Sequence, residues 1–258
     1  MNILYVGDIV GSPGRRAFSQ VTGRLRAAKQ IDFVVVNAEN SAAGRGITPD
    51  ICDELFAAGA NIITLGDHVW DQKEIIPHLA IETRIARPAN YAPDCPGRGV
   101  VTVETPAGKL SVIVLIGRVF LPPADCPFRT VDAILKRGDL GPIVLVEIHA
   151  EATSEKVAMG RYLDGRVASV VGTHTHVQTS DDTILPRGTA YLTDLGMTGP
   201  KDGVIGMDIK TVIPRFLSGM PTKFEVGSKD VSLEGAIITV DPKTGRAKKI
   251  KRVREHVE

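Results

Sequence analysis

The chain has 258 residues, 31 basic against 30 acidic side chains, and 43% hydrophobic content. That length can bury a core without covalent staples, and a net charge of +1 excludes a polyanion-coating protein that works by counterion release. The hydrophobic content excludes a disordered acidic chain, and Cys52, Cys95 and Cys126 form no CxxC pair and no disulfide framework.

The N-terminal stretch MNILYVGDIVG has no basic region and meets Asp8 early, so it does not read as a signal peptide. The longest apolar run, Val112 to Ile116, is far too short for a membrane span. With cysteine usage that fits a reducing compartment, a soluble cytoplasmic protein with no membrane partner is expected.

In chain order, apolar β-branched runs alternate with helical segments. ILYVG (3–7) predicts a strand, and Ser12-Pro13 predicts an N-cap and first turn for a helix reaching about Lys29. DFVVVNA (32–38) predicts a second strand, and Thr48-Pro49-Asp50 opens a helix that ends at Gly59. NIITLG (61–66), LSVIVLIG (110–117), PIVLVEI (142–148) and VASVVG (167–172) predict four more strands, with a capped helix over 153–163. Near-continuous apolar runs suit strands covered on both faces, so the pattern is α/β. Residues 100–115 and 231–253 read instead as hairpins, across Pro106-Ala107-Gly108 and Asp241–Gly245. These add antiparallel strands, so a mixed sheet or two packed sheets is expected. The basic stretch KKIKRVR (248–254) reads as the solvated face of an edge strand. No repeat or linker interrupts the chain, which predicts one domain over 1–258.

The chemistry sits where the apolar runs end. ILYVG is followed by Asp8, FVVVNA by Glu39 and Asn40, and NIITLG by Asp67 and His68. PIVLVEI is followed by His149, and VASVVG by His174 and His176. Open α/β sheets bind ligands outside the carboxyl ends of their strands, so parallel strands would bring these side chains into one crevice. Singly, each residue has a plainer reading: Glu39 as a solvated loop carboxylate, Asp67-His68 as turn residues, His149 as a buried core histidine. The His174-Thr-His176 pair is the most specific signal, because alternate residues of an extended segment share a face. Carboxylates with imidazoles favour a hard or borderline metal. Asp8, Glu39, Asp67, His149, His174 and His176 exceed the ligands of one tetrahedral zinc and suit two metals sharing a carboxylate. His68 is then free to protonate a leaving alkoxide. His78 and His256 read as surface residues, and neither GxGxxG nor GxxxxGK[ST] occurs.

These residues resemble the calcineurin-like metallophosphoesterase superfamily, and more closely its YmdB-type branch of bacterial phosphodiesterases. The resemblance rests on GDIVGSPGR (7–15), VVNAENSAAGRGI (35–47), TLGDHVWD (64–71), GRVF (117–120), HAEATSEK (149–156), GTHTHVQT (172–179) and LTDLGMTGP (192–200). It implies a four-layer α/β/β/α sandwich of two mixed sheets with a dinuclear iron or manganese site, zinc or magnesium being the alternatives. It further implies hydrolysis of phosphodiesters, with 2′,3′-cyclic nucleotides as the characteristic substrate, and a homo-oligomer. By position, Asp8 and His176 would hold the first metal, Glu39 would bridge, and Asp67, His149 and His174 would hold the second. A metal-bridging hydroxide would attack phosphorus, His68 would act as general acid, and Asn40 would lie beside the substrate phosphate. Two departures stand out: Val10 replaces the histidine of the superfamily's D-x-H, and Asp67 replaces the asparagine of its G-N-H. A third carboxylate makes the site less positive, which predicts an altered metal preference or a raised pH optimum. Two other functions remain open on sequence grounds. One is a phosphomonoesterase or nucleotidase using the same site; the other is an RNA-associated regulator with a structural metal.

Overall fold

Strands that are apolar on both faces need two different covers, and this chain provides helices on one side and a second sheet on the other. The computed structural model describes residues 1–257. Its first half runs β1 (Asn2–Val6), β2 (Asp8–Ile9), α1 (Gly11–Lys29), β3 (Phe33–Asn37), α2 (Pro49–Ala57), β4 (Ile62–Thr64), α3 (Ile75–Ile81), β5 (Ile85–Ala86), β6 (Val100–Thr105) and β7 (Gly108–Ile116). The second runs α4 (Pro127–Lys136), β8 (Ile143–His149), α5 (Thr153–Leu163), β9 (Ser169–Thr173), β10 (Thr183–Ile184), β11 (Ala190–Leu192), β12 (Met197–Pro200), α6 (Ile209–Ser218), β13 (Val231–Val240) and β14 (Ala247–His256).

One sheet has the order β2-β12-β13-β1-β3-β4-β5, with β14 also paired to β13. Within it β1, β3, β4 and β5 are parallel, while β13 runs antiparallel to β1. The other has the order β10-β11-β9-β8-β7-β6, with β7, β8, β9 and β11 parallel. Both are mixed sheets, and the four-layer α/β/β/α architecture follows from how they are covered.

Strand periodicity assigns the layers. On β1, Ile3 and Tyr5 join a core between the sheets, whereas Leu4 and Val6 pack with Phe18 and Val21 of α1. On β8, Ile143 and Leu145 face the inter-sheet core, whereas Val144 and Val146 pack with Met159 and Leu163 of α5. Both hairpins form as expected, and β14 is an edge strand paired only with β13.

Two capping assignments differ from the sequence reading. The N-cap of α1 is Val10 rather than Ser12, with no side-chain cap. The helix start is instead fixed by backbone bonds to distant segments, Val10 N donating to Thr198 O and Gly11 N to Asn40 O, while Pro13 at N3 has no N–H to cap. Likewise α5 starts after Ala152 without a side-chain cap, while the Thr48 cap of α2 accepts from Ile51 N as expected. The short strands β2, β5, β10, β11 and β12 and helices α4 and α6 were not expected from the sequence, whereas α3 is the helix on which His78 was expected to lie. Strands of two to four residues carry no measurable period.

Candidate metal centre

Strand parity decides which polar side chains reach the space between the sheets. On β8, Glu147 and His149 continue the inter-sheet series of Ile143 and Leu145, so both point toward the first sheet. Across from them β1, β3 and β4 end near Asp8, Glu39 and Asp67. One donor atom from each of Glu39, Asp67, His149 and His174 lies within 4.8 Å of the others.

His149 Nε2 is the hub of this group. It stands 3.0 Å from Glu39 Oε1, 2.9 Å from Asp67 Oδ1 and 3.0 Å from His174 Nδ1. His174 Nδ1 is 3.3 Å from the same Asp67 oxygen. Donor atoms bound at ~2.1 Å around one cation stand roughly 3–3.4 Å apart, so these spacings match a coordination sphere. Asp8 and His176 lie alongside, with His176 Nε2 at 3.9 Å from Asp8 Oδ1. The two groups meet where the His174 backbone N–H donates to Asp8 Oδ2 at 3.4 Å. Asp8 is fully buried, and its Oδ1 has no hydrogen-bond partner, a costly state for an oxygen that faces no cation.

Each of the three histidines has its other ring nitrogen committed. The Thr173 hydroxyl donates to Glu147 Oε1 at 2.9 Å, so its oxygen accepts from His149 Nδ1–H, also at 2.9 Å. His176 Nδ1–H donates to Ile205 O at 3.0 Å, and His174 Nε2 lies 3.2 Å from the Glu151 carboxylate. These outer partners fix the rings so that His149 Nε2, His174 Nδ1 and His176 Nε2 are the nitrogens that face inward.

The electrostatics report a site built for positive charge. Burial pushes the Asp8 carboxyl well above the usual range, with Glu39, Asp194 and Glu147 adding to the shift. Burial opposes charge on His149, but Glu39, Asp67 and Asp8 outweigh it and raise that imidazole well above its ordinary value. Burial also opposes charge on Glu39 and Asp67, yet contact with His149 overcomes it and holds both below the ordinary carboxylate range. A proton on His149 thus stands in for a cation among these acceptors. His176 moves down instead, because burial dominates there.

His68 sits at the rim, and its backbone N–H donates to Glu39 Oε2 at 3.0 Å. Its Nδ1 lies 2.9 Å from Asp71 Oδ2, an oxygen that also accepts from Arg45 Nε at 2.9 Å. Its Nε2 stays on the site side, 3.8 Å from Asp67 Oδ2. Asn40 is buried, donates from Nδ2 to Gly44 O at 3.2 Å, and has an unpartnered Oδ1.

One geometric premise fails. His174 and His176 do not share a face of an extended segment: β9 stops at Thr173, and they have φ of 93° and 63°. A left-handed turn delivers them to adjacent places, a conformation that L-residues adopt only when their surroundings hold it. Of the remaining histidines, His256 is exposed as expected, but His78 is half-buried with an unpartnered Nε2. Sequence reasoning missed Glu147, Thr173, Glu151, Asp71 and Gly66. A lone carboxylate inside PIVLVEI was a signal for Glu147. Gly66 is needed because a Cβ there would collide with Glu39 Oε2 and His149 Nε2.

Two facing mixed sheets with helices outside, and an Asp/Glu/His cluster at the carboxyl ends of their strands, define an enzyme of the metallophosphoesterase fold. Within that class the chain belongs to the YmdB-like protein family, which it matches over residues 4–253. It is 46% identical over 254 residues to a 2′,3′-cyclic-nucleotide 2′-phosphodiesterase of Bacillus subtilis, covering 98% of this chain and 96% of that enzyme. A crystal structure of a hypothetical protein from Thermus thermophilus superposes with a TM-score of 0.95 at 38% identity, covering all of both chains. A phosphatase from Mycoplasma pneumoniae superposes at 0.94 with 33% identity, over 99% of this chain and 93% of that one.

Proposed function

We propose that this phosphoesterase hydrolyses 2′,3′-cyclic nucleotides at a two-metal centre held by Asp8, Glu39, Asp67, His149, His174 and His176. The observation that carries the reading is the convergence of carboxylates and outward-anchored imidazoles on His149 Nε2, beside the unpartnered Asp8 oxygen. In this reading Asp8 and His176 hold one metal, Asp67, His149 and His174 the other, and Glu39 serves both. An oxygen and nitrogen donor set without thiolate suits iron or manganese, with zinc or magnesium as the alternatives. Bound there, such ions polarise phosphoryl oxygens and lower the pKa of water.

The rest of the reaction falls to the chain's own side chains. His68 gives its Nδ1 proton to Asp71 in a hydrogen bond, so the proton passed to the departing ribose oxygen comes from Nε2. Asp71, itself paired with Arg45, holds the ring so that Nε2 faces the site. Asn40, whose buried Oδ1 has no hydrogen-bond partner, is assigned to the substrate side of the centre. A cavity of about 390 Å³ opens beside His176, with Val177 and Ile205 on its wall and Lys201 and Arg254 around buried Glu234. This space suits the nucleoside of the substrate.

Elemental analysis of purified protein, with parallel assays on cyclic nucleotides and monoesters, tests this reading. Two metals per chain and hydrolysis of the cyclic substrate are expected. Activity confined to monoesters would make the protein a nucleotidase. His68→Ala should retain both metals while losing on the order of 10²–10⁴ in turnover. Loss of metal in that variant would remove His68 from the acid role.

We further propose a homo-oligomer in the cytoplasm, acting as one domain. Among the described residues, no helix is long and apolar enough to cross a membrane. The outer face of α6 carries Phe216 and Leu217, 78% and 83% exposed, an apolar surface suited to a second copy. Light scattering should report an assembly that Phe216→Glu/Leu217→Glu reduces in mass.

A further inference from the structure

We propose that the buried pair Lys156–Asp194 is a positioning device that holds Thr175, and through it the His174–His176 turn, in the left-handed backbone required by both subsites. The inference rests on the two-metal reading above. Lys156, on α5, is 1% exposed, and Asp194, just after β11, is 0% exposed. A fully buried ion pair contributes little net stability compared with apolar residues of the same volume. Its presence here is explained by what it grips.

Lys156 Nζ donates to Asp194 Oδ2 at 2.7 Å and to Thr175 Oγ1 at 3.2 Å. The same Asp194 oxygen accepts from the Thr175 hydroxyl at 2.6 Å and from Thr175 N–H at 3.3 Å. Asp194 Oδ1 accepts from Gly196 N at 2.8 Å, which orients the carboxylate. Four residues along the turn, Thr179 N–H donates to Asp194 O, and Thr179 Oγ1 accepts from Asp194 N–H. Asp194 therefore holds the segment at Thr175 and again at Thr179. Between these points stands His176, and immediately before them stands His174, at φ of 63° and 93°. The Lys156 stem also packs against the strand below, where a Cβ on Gly172 would meet Lys156 Cδ at 2.8 Å. Neither Lys156 nor Asp194 hydrogen-bonds an imidazole, so their effect on the ligands passes through Thr175.

Glu39 and Asp67 come from other loops and His149 from the end of β8, and none of them is bonded to this clamp. Releasing the turn should therefore spare these three donors and loosen one ligand of each subsite, His174 in one and His176 in the other. Thr175→Val is nearly isosteric and strands no charge. Lys156→Met/Asp194→Asn removes both charges together and provides a second, independent release. Metal titration with elemental analysis should show two metals per chain in the parent. Both variants should bind both metals about 10–100-fold more weakly, as when an outer partner of a ligand is lost. Amide exchange at Thr175 and Thr179 in the metal-free protein should accelerate, and Thr175→Ser should restore both readouts. Two metals at parental affinity in Thr175→Val or in the double variant would overturn the clamp while leaving the two-metal reading intact. A parent that binds no metal would overturn that reading, and the clamp with it.

Discussion

Asp67 places a third carboxylate among the candidate ligands, with Oδ1 2.9 Å from His149 Nε2 and 3.3 Å from His174 Nδ1. A less positive centre lowers the pKa of water less, so activity should be greatest at a higher pH than with a neutral amide there. Asp67→Asn is expected to keep two metals and to move the pH–rate optimum downward. Superimposable profiles and metal preferences would remove Asp67 from that role. The aspartate was legible from its place after NIITLG, because the end of an apolar run is a local pattern. Its sharing of one oxygen between two imidazoles was not, since those residues lie on β8 and beyond β9. Asp71 shows the same limit: nothing in TLGDHVWD tells a turn carboxylate from one that meets His68 Nδ1 at 2.9 Å.

At the level of elements, the two sheets are joined by a buried polar network as well as by apolar side chains. Glu147 on β8 accepts from Tyr5 OH on β1 at 2.7 Å, from Asn37 Nδ2 on β3 at 2.7 Å, and from Thr173 on β9 at 2.9 Å. Through Thr173 this network sets the His149 tautomer, so sheet packing and ligand orientation are coupled. Burial, reinforced by Glu147, pushes the Tyr5 hydroxyl well above its ordinary pKa and keeps it a donor. Tyr5→Phe leaves a buried carboxylate oxygen short of a partner, which should cost about 1–3 kcal/mol in urea denaturation. That is measurable against a typical total of ~5–15 kcal/mol, and too small to abolish folding. A larger loss, or none, would show that the network is not organised around this hydroxyl. The strands and hairpins were readable because their apolar alternation is local. The His174–His176 turn was misread as extended because its backbone is set by Asp194, which is remote in sequence.

For the whole molecule, the shifted groups predict how stability follows pH with and without metal. In metal-free protein the raised pKa of His149 contributes stability that is complete below its unfolded value of ~6.5. That contribution is lost as pH rises through the folded value. Glu39 and Asp67, held low, contribute above their unfolded values of ~4 and lose that contribution as pH falls through their depressed folded values. Buried Asp8 acts oppositely, destabilising wherever it must ionise. The Tm of chelator-treated protein should therefore fall from about pH 7 upward, while the metal-loaded protein holds its Tm there. Below about pH 6 protons should compete for the donors, and metal should be released. A flat metal-free curve through the alkaline range would mean that His149 carries no stabilising proton. The α/β class, the hairpins, the charge balance and the residues at the strand ends are periodic or local properties, and the amino-acid order alone was enough to establish them. Which donors share an oxygen, which imidazole nitrogen faces inward, and which turn brings His174 and His176 together were settled by the folded arrangement. Those choices depend on packing between segments as far apart as Tyr5 and Glu147, and no window along the chain contains both.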